Sequence, residues 1–488
     1  MATKRGRSTQ TTLFCDEGHV PQTIEFNPQN GYEILGAGTF NCVVEEIATG
    51  NVYRVGRITF GDDISYQTEI NRSRDLVSLL NTYRHVVGPY FIQQPLVDKS
   101  VQFNELPSQM RRVLKKCQPL TAVDMTDDVN FQQIERLHDI RGFSAPVFEV
   151  VAFMLLWFLS SASVLFGFRH REIKPQNVMF RKLKQPQTRT FLVQPNTVFT
   201  FVTDIEPVII DYDFASIFVT ASEQRNELGT YELAAPERLF AEITQTVKPP
   251  GQTYDFFSLG MTLLYFASDK TYFDNVINRD GPYLFDFKNT LKNMWKLLTG
   301  DEVEREIRSL HNQLRILSLY GLIREDKIEQ LRIVNPPFAK CVEIFQGAYK
   351  PEADMYGQQL KQSTVRLFES TRYRNTGEVI LTLLSLVPQR RTWNGKPFDV
   401  LKSWFPRKTR EGSEHIDYTM PNIPIFDDNF DIKTRTQLLL RMNDALRQFN
   451  HLKLHIECSV CQSPDVSYMC PRTAARYCSE HCYQLSLK

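Results

Sequence analysis

The chain has 488 residues, with 57 Lys and Arg against 56 Asp and Glu, for a formal charge of +1. A balance so close to zero gives no global field that would gather nucleic acid or an anionic membrane, and neither is expected as a partner. With 22 Gly and 25 Pro the chain is neither collagen-like nor of low complexity, and 42% hydrophobic residues suffice for a sizeable core.

Residues 1–25 read as a flexible tail carrying Lys4, Arg5 and Arg7. No apolar run follows the start, so no secretory leader is expected and an intracellular, reducing location is. Strands are expected at Tyr32-Glu33-Ile34-Leu35, Cys42-Val43-Val44 and Val52-Tyr53-Arg54-Val55. Between the first two lies Gly36-Ala37-Gly38. Two glycines one residue apart let backbone N–H groups come close to a phosphate, although many turns hold two glycines without binding anything. Thr49-Gly50-Asn51 reads as the hairpin turn. A turn centred there places Arg54 opposite Glu45, and strand alternation puts Arg57 on the other face. Residues 64–82, which include Glu69, carry a helical pattern, and further strand-like pieces run to about 118.

From about 145 the chain turns helix-rich. Val150 to Phe168 is a stretch of 19 residues without a charge, long enough to raise a membrane span. Glu149 and Arg169 flank it, and Ser160, Ser161 and Ser163 interrupt it, so a helix buried inside a large domain is expected instead. Immediately after it, His170-Arg171-Glu172-Ile173-Lys174 followed by Asn177 sets an acid, a lysine and an amide close together. The apolar Val208-Ile209-Ile210 then delivers Asp211 at the end of a strand, a good position for a metal-binding carboxylate. Ala235-Pro236-Glu237, Asp255 and the pair Pro388 and Arg391 follow. The long separation of Asn177 from Asp211 is expected to hold an extended surface hairpin. Residues 270–375 read as an insertion, either added helical packing or a docking platform. Residues 396–452 read as a Pro-rich connector and one amphipathic helix.

In this order the pieces resemble the protein kinase superfamily across about residues 30–395. The resemblance implies an α+β, two-lobed protein kinase-like fold: a β-rich N-lobe over 26–118 and a helical C-lobe with insertions over 119–395. It implies ATP and Mg²⁺ as cofactors and a protein substrate. Gly36, Ala37, Gly38 and Val43 match the nucleotide-covering loop. Asn177 and Asp211 match the Mg²⁺ ligands, hard oxygen donors of the kind that ion takes. Lys174 matches the cation beside the moving phosphoryl group, and Glu172 the acid that orients the hydroxyl. Glu237, Asp255 and Arg391 match structural positions. Two residues depart from the family pattern. Glu172 stands for an aspartate, and Arg54 stands for the strand lysine, with Glu69 as its expected partner. An arginine keeps the charge but is bulkier and forks differently. Gly229-Thr230 resembles the segment of Ser/Thr kinases in which the threonine contacts the catalytic loop. A Ser/Thr kinase is therefore the expected activity, with a partner-binding pseudokinase scaffold as the alternative. Such lysine-lacking sequences with large insertions also resemble kinases of large DNA viruses.

The last 31 residues hold Cys458, Cys461, Cys470, Cys478 and Cys482. Thiolates at such short spacing close a tetrahedral Zn²⁺ site. The string resembles HIT and MYND zinc fingers, which implies a small zinc knuckle over 453–488. One Zn²⁺ is expected on Cys458, Cys461, Cys478 and Cys482, because Thr473 occupies the partner position of Cys470. A protein partner at this module is what the resemblance implies.

Overall fold

The computed structural model describes residues 30–37, 41–57, 77, 80, 97–117, 128–139, 145–166, 168–194, 197–212, 215, 230–246, 253–268, 283–297, 300–349, 374–391, 468–469 and 476–477. The chain divides into two compact units, one of residues 1–67 and 94–136, the other of 68–93 and 137–488.

The first unit is built on β1 (Tyr32–Ala37), β2 (Asn41–Glu46), β3 (Val52–Arg57), β4 (Val97–Gln102) and β5 (Asp128–Ile134). They form one antiparallel sheet in the order β1-β2-β3-β5-β4. Alternation sends Cys42 and Val44 of β2, and Tyr53 and Val55 of β3, to one face. There they bury with Phe103, Leu106 and Met110, the last from helix α1 (Ser108–Cys117). The sheet extends past residue 118, where the sequence reading ended this unit. β5 is an interior strand, bonded to β3 and β4 on its two sides. Asp128, Asn130, Gln132 and Gln133 dilute its apolar signal, so no strand pattern marks it in the sequence.

The hairpin register also differs from the expected one. Arg54 lies opposite Val43, not Glu45. The connection is a four-residue loop over 47–50, closed by the Glu46 N–H donating to Asn51 O at 2.9 Å and the Gly50 N–H donating to Glu46 O at 2.8 Å. Gly50 takes φ +72°, the left-handed conformation that lets the loop close there. The Glu46 carboxylate reinforces it by accepting from Asn30, from Thr49 Oγ1 at 2.5 Å and from the Tyr53 hydroxyl at 3.2 Å. The slip is two residues, an even number, so Arg54 remains on the face expected for it. That face is shared with Val43 and lies opposite the packed one.

The second unit is centred on α2 (Ala145–Phe166), whose residues Val151 to Ser160 are all buried. The long apolar run is thus an interior helix. Among the described residues no helix is long and apolar enough to cross a membrane. β6 (His138–Asp139), β7 (Val178–Gln194) and β8 (Thr197–Ile209) form an antiparallel sheet, and β7 and β8 make the long hairpin. Its register slips between Lys182 and Gln187, where Pro186 has no N–H to give the ladder. α3 (Pro236–Thr244) and α4 (Tyr254–Ala267) follow. Next come α5 (Leu284–Met294), α6 (Asp301–Leu319), α7 (Glu325–Val334) and α8 (Pro336–Tyr349), all inside the 270–375 insertion, and then α9 (Arg374–Leu383). Gly260 of α4 admits α9 closely: a Cβ there would lie 2.9 Å from Leu383 Cβ. Arg391 is fully buried, donates to Glu237 at 2.6 and 3.0 Å, and stacks 4.8 Å above the Phe257 ring. Near the end of the chain, β9 (Tyr468–Met469) pairs with β10 (Arg476–Tyr477).

Candidate active site

The loop after α2 is held from below by α4. Asp255, in the first turn of α4, accepts the His170 N–H at 2.5 Å and the Arg171 N–H at 2.8 Å. The positive end of the helix dipole suits a carboxylate at that position. The grip sustains φ +70° at Arg171, a conformation costly for a side chain with a Cβ and one that recurs at functional loops. His170 is buried, and burial pulls its pKa down to about 4. The ring is therefore neutral near pH 7, with one donor and one acceptor nitrogen. Nδ1 accepts the Glu172 N–H at 3.3 Å, which leaves Nε2 to donate to Ile210 O at 3.1 Å. One imidazole thus ties the loop to the strand that ends in Asp211.

Four residues meet there. Asn177 ends the short 3-10 turn Pro175–Asn177, and Val178 begins β7 immediately after it. Asp211 comes two residues past the end of β8, at φ +69°. Because Val178 pairs with Ile209, and the Ile210 N–H donates to Asn177 O at 2.9 Å, the hairpin base brings residues 34 apart in sequence together. Asn177 Nδ2 donates to Glu172 O at 3.0 Å and to Asp211 Oδ2 at 3.3 Å. Both amide hydrogens are thereby used, and Oδ1 is left as the atom able to meet a cation. Lys174 Nζ lies 3.1 Å from Glu172 Oε2, and Thr230 Oγ1 donates to Glu172 Oε1 at 3.4 Å. Burial, aided by the charge of Asp211, raises the Glu172 pKa above its ordinary value, while Lys174 pulls the other way.

Among the described residues no group of three or more His, Cys, Asp and Glu side chains is placed to hold a metal alone. Two protein oxygens, from Asn177 and Asp211, are still the donor set that Mg²⁺ uses when phosphates and water complete its shell. In the first unit Val43 and Arg54 stand directly opposite each other, and Gly36 and Ala37 end β1 beyond a bulge at Leu35. Gly38, Glu69, Cys458, Cys461, Cys478 and Cys482 lie outside the described residues. His170 and Thr230 join the site residues expected from the sequence. The first had a signal in its place beside the acid, and the second in its resemblance to the Ser/Thr-kinase segment.

A family model described as the protein kinase domain matches residues 159–319, from the end of α2 through α6. That span carries Glu172, Lys174, Asn177, Asp211 and Thr230 and does not reach the first unit. Among solved structures, a crystal structure of a kinase domain is 14% identical at a TM-score of 0.36, covering 76% of this chain and 92% of that one. The search of curated proteins returned no match.

Proposed function

We propose that the protein transfers the γ-phosphoryl group of ATP to a serine or threonine hydroxyl of a protein substrate. The observation that carries this reading is the convergence of Glu172, Lys174, Asn177, Asp211 and Thr230 at one hairpin base, within the span similar to the protein kinase domain. Glu172 orients the acceptor hydroxyl and takes its proton as the oxygen bonds to the γ-phosphorus. The bond from phosphorus to the bridging oxygen breaks, and ADP leaves with that electron pair. Lys174 offsets charge on the group in transit. Asn177 Oδ1 and Asp211 would hold Mg²⁺, which would offset the charge of the phosphates. In line with the resemblance, Gly36, Ala37, Gly38 and Val43 are the residues for the nucleotide, and Arg54 takes the role of the phosphate-binding lysine. Thr230 beside the acid favours a Ser/Thr rather than a Tyr acceptor. At the end of the chain, Cys458, Cys461, Cys478 and Cys482 bind one Zn²⁺ in a module that recruits a protein partner.

A scaffold without transferase activity is the second reading, favoured by the two departures from the family residues, Glu172 and Arg54. The readings separate on Mg²⁺-ATP binding, followed by thermal shift, and phosphate transfer, measured on wild type, Asp211→Ala and Glu172→Gln. Wild type is expected to bind and transfer, and Asp211→Ala to lose Mg²⁺-dependent binding. Glu172→Gln is expected to keep its ATP affinity and lose about 10²–10⁴-fold in kcat, the range for a general base. Wild type that transfers no phosphate, with or without Mg²⁺-ATP binding, and is indifferent to Glu172→Gln makes the scaffold the better reading.

A further inference from the structure

We infer that Arg305 and Gln313, on helix α6 far from every sequence motif of the site, are positioning residues for Thr230 and through it for Glu172. The inference rests on the kinase reading for its catalytic consequence but not for its structural one. The three residues after Thr230 form a single 3-10 turn, Tyr231–Leu233, and each is held from outside. Gln313, 1% exposed, donates from Nε2 to Tyr231 O at 3.0 Å. Arg305 donates from Nε at 2.9 Å and from Nη2 at 2.6 Å to Glu232 Oε1, and its guanidinium lies 5.7 Å from the Tyr231 ring centre. Ser258 of α4 donates to Leu233 O at 2.9 Å. Glu232 Oε2 is buried and has no hydrogen-bond partner among the described residues, so Arg305 is the cation that offsets this carboxylate.

The turn so gripped begins at Thr230, whose bond to Glu172 is already long at 3.4 Å. A side-chain contact of about 3.6 Å is no longer a hydrogen bond, so a displacement of a few tenths of an ångström releases one oxygen of the Glu172 carboxylate. Positioning errors on the ångström scale cost up to about 100-fold in rate. Arg305 is 58% exposed and Glu232 25%, so water screens part of this pair and its loss lowers stability modestly. Arg305→Lys, which keeps the charge beside Glu232, separates positioning from that loss.

The test uses the full chain as wild type, Arg305→Ala, Arg305→Lys and Gln313→Ala. Hydrogen exchange is followed in peptides covering 229–234 and 170–177, beside phosphate transfer. Arg305→Ala is expected to speed exchange in both peptides with only a small fall in melting temperature. It is also expected to lower kcat about threefold to tenfold at constant KM for ATP. Arg305→Lys is expected to restore part of the rate, and Gln313→Ala to reproduce the exchange pattern. Faster exchange confined to 229–234, with 170–177 unmoved in both Ala variants, overturns the inference. Coupled exchange in a wild type that transfers no phosphate leaves the coupling standing and sinks the kinase reading instead.

Discussion

Burial and the adjacent Asp211 disfavour the ionised form of Glu172, and Lys174 compensates only in part, so this carboxyl titrates above the ordinary glutamate range. A raised folded-state pKa contributes stability that is fully present below the unfolded glutamate value and is lost as pH rises through the folded one. His170 has the opposite sign. Its pKa is lowered from 6.5 to about 4, so its contribution is present above 6.5 and is lost as pH falls through 4. The two act against each other on acidification. In Glu172→Gln only the histidine remains, and its unfolding free energy should fall more steeply than that of wild type between pH 6.5 and 4. The slopes should differ by at most about 1.4 kcal/mol per pH unit. Above pH 7 the same variant should be the more stable protein while losing transfer. Urea unfolding across that pH range measures both, and parallel slopes would remove the raised glutamate. The residues that meet at the hairpin base were largely legible in the sequence as candidates. Glu172, Lys174 and Asn177 lie within six residues, and Asp211 follows an apolar strand. Arg305 and Gln313 were not, because 73 and 82 residues separate them from their partners and no local pattern marks them.

Helix α4 does three things along its length. Asp255 holds the loop, Ser258 holds Leu233, and Gly260 lets α9 approach. At Gly260 a methyl group meets Leu383 Cβ at 2.9 Å and Leu384 Cδ2 at 3.1 Å, and two helices must part to admit it. Gly260→Ala should therefore destabilise by about 1–3 kcal/mol, as overpacked cores do. Gly347, exposed on α8 with nothing within 4 Å of its added Cβ, is the control. There the same change should stabilise by about 0.5–1 kcal/mol by restricting the unfolded chain. Thermal unfolding of the two variants checks the opposed signs, and equal shifts would mean that α9 does not press on Gly260. The uncharged run of α2 was readable as an interior helix from its close flanking charges. The β2–β3 register was not, because a loop over 47–50 and a turn centred on Gly50 look alike until the Glu46 hydrogen bonds are seen.

Over the whole molecule, the loop, the hairpin and Thr230 belong to one of the two units, and the family match lies inside that unit. The proposed zinc site at the terminal cysteines has its own test. Purified protein should carry about one zinc per chain, since four thiolates complete one tetrahedral site. Changing Cys458 and Cys461 to Ser should release the metal and leave Mg²⁺-ATP binding intact; two zincs, or none, would overturn the ligand assignment. The unit boundary near 136 was not readable, because a polar-rich interior strand looks like a connector in sequence. The base of the β7–β8 hairpin has a practical reach. Asn177 and Asp211 are registered at the base itself, by the Val178–Ile209 pair and by the Ile210 N–H donating to Asn177 O. The outer part of the two strands, beyond the slip between Lys182 and Gln187, takes no part in that registration. Shortening the tip, or splicing a fluorescent reporter or an epitope into it, alters the molecule's outline and leaves the spacing of those two oxygens as it was.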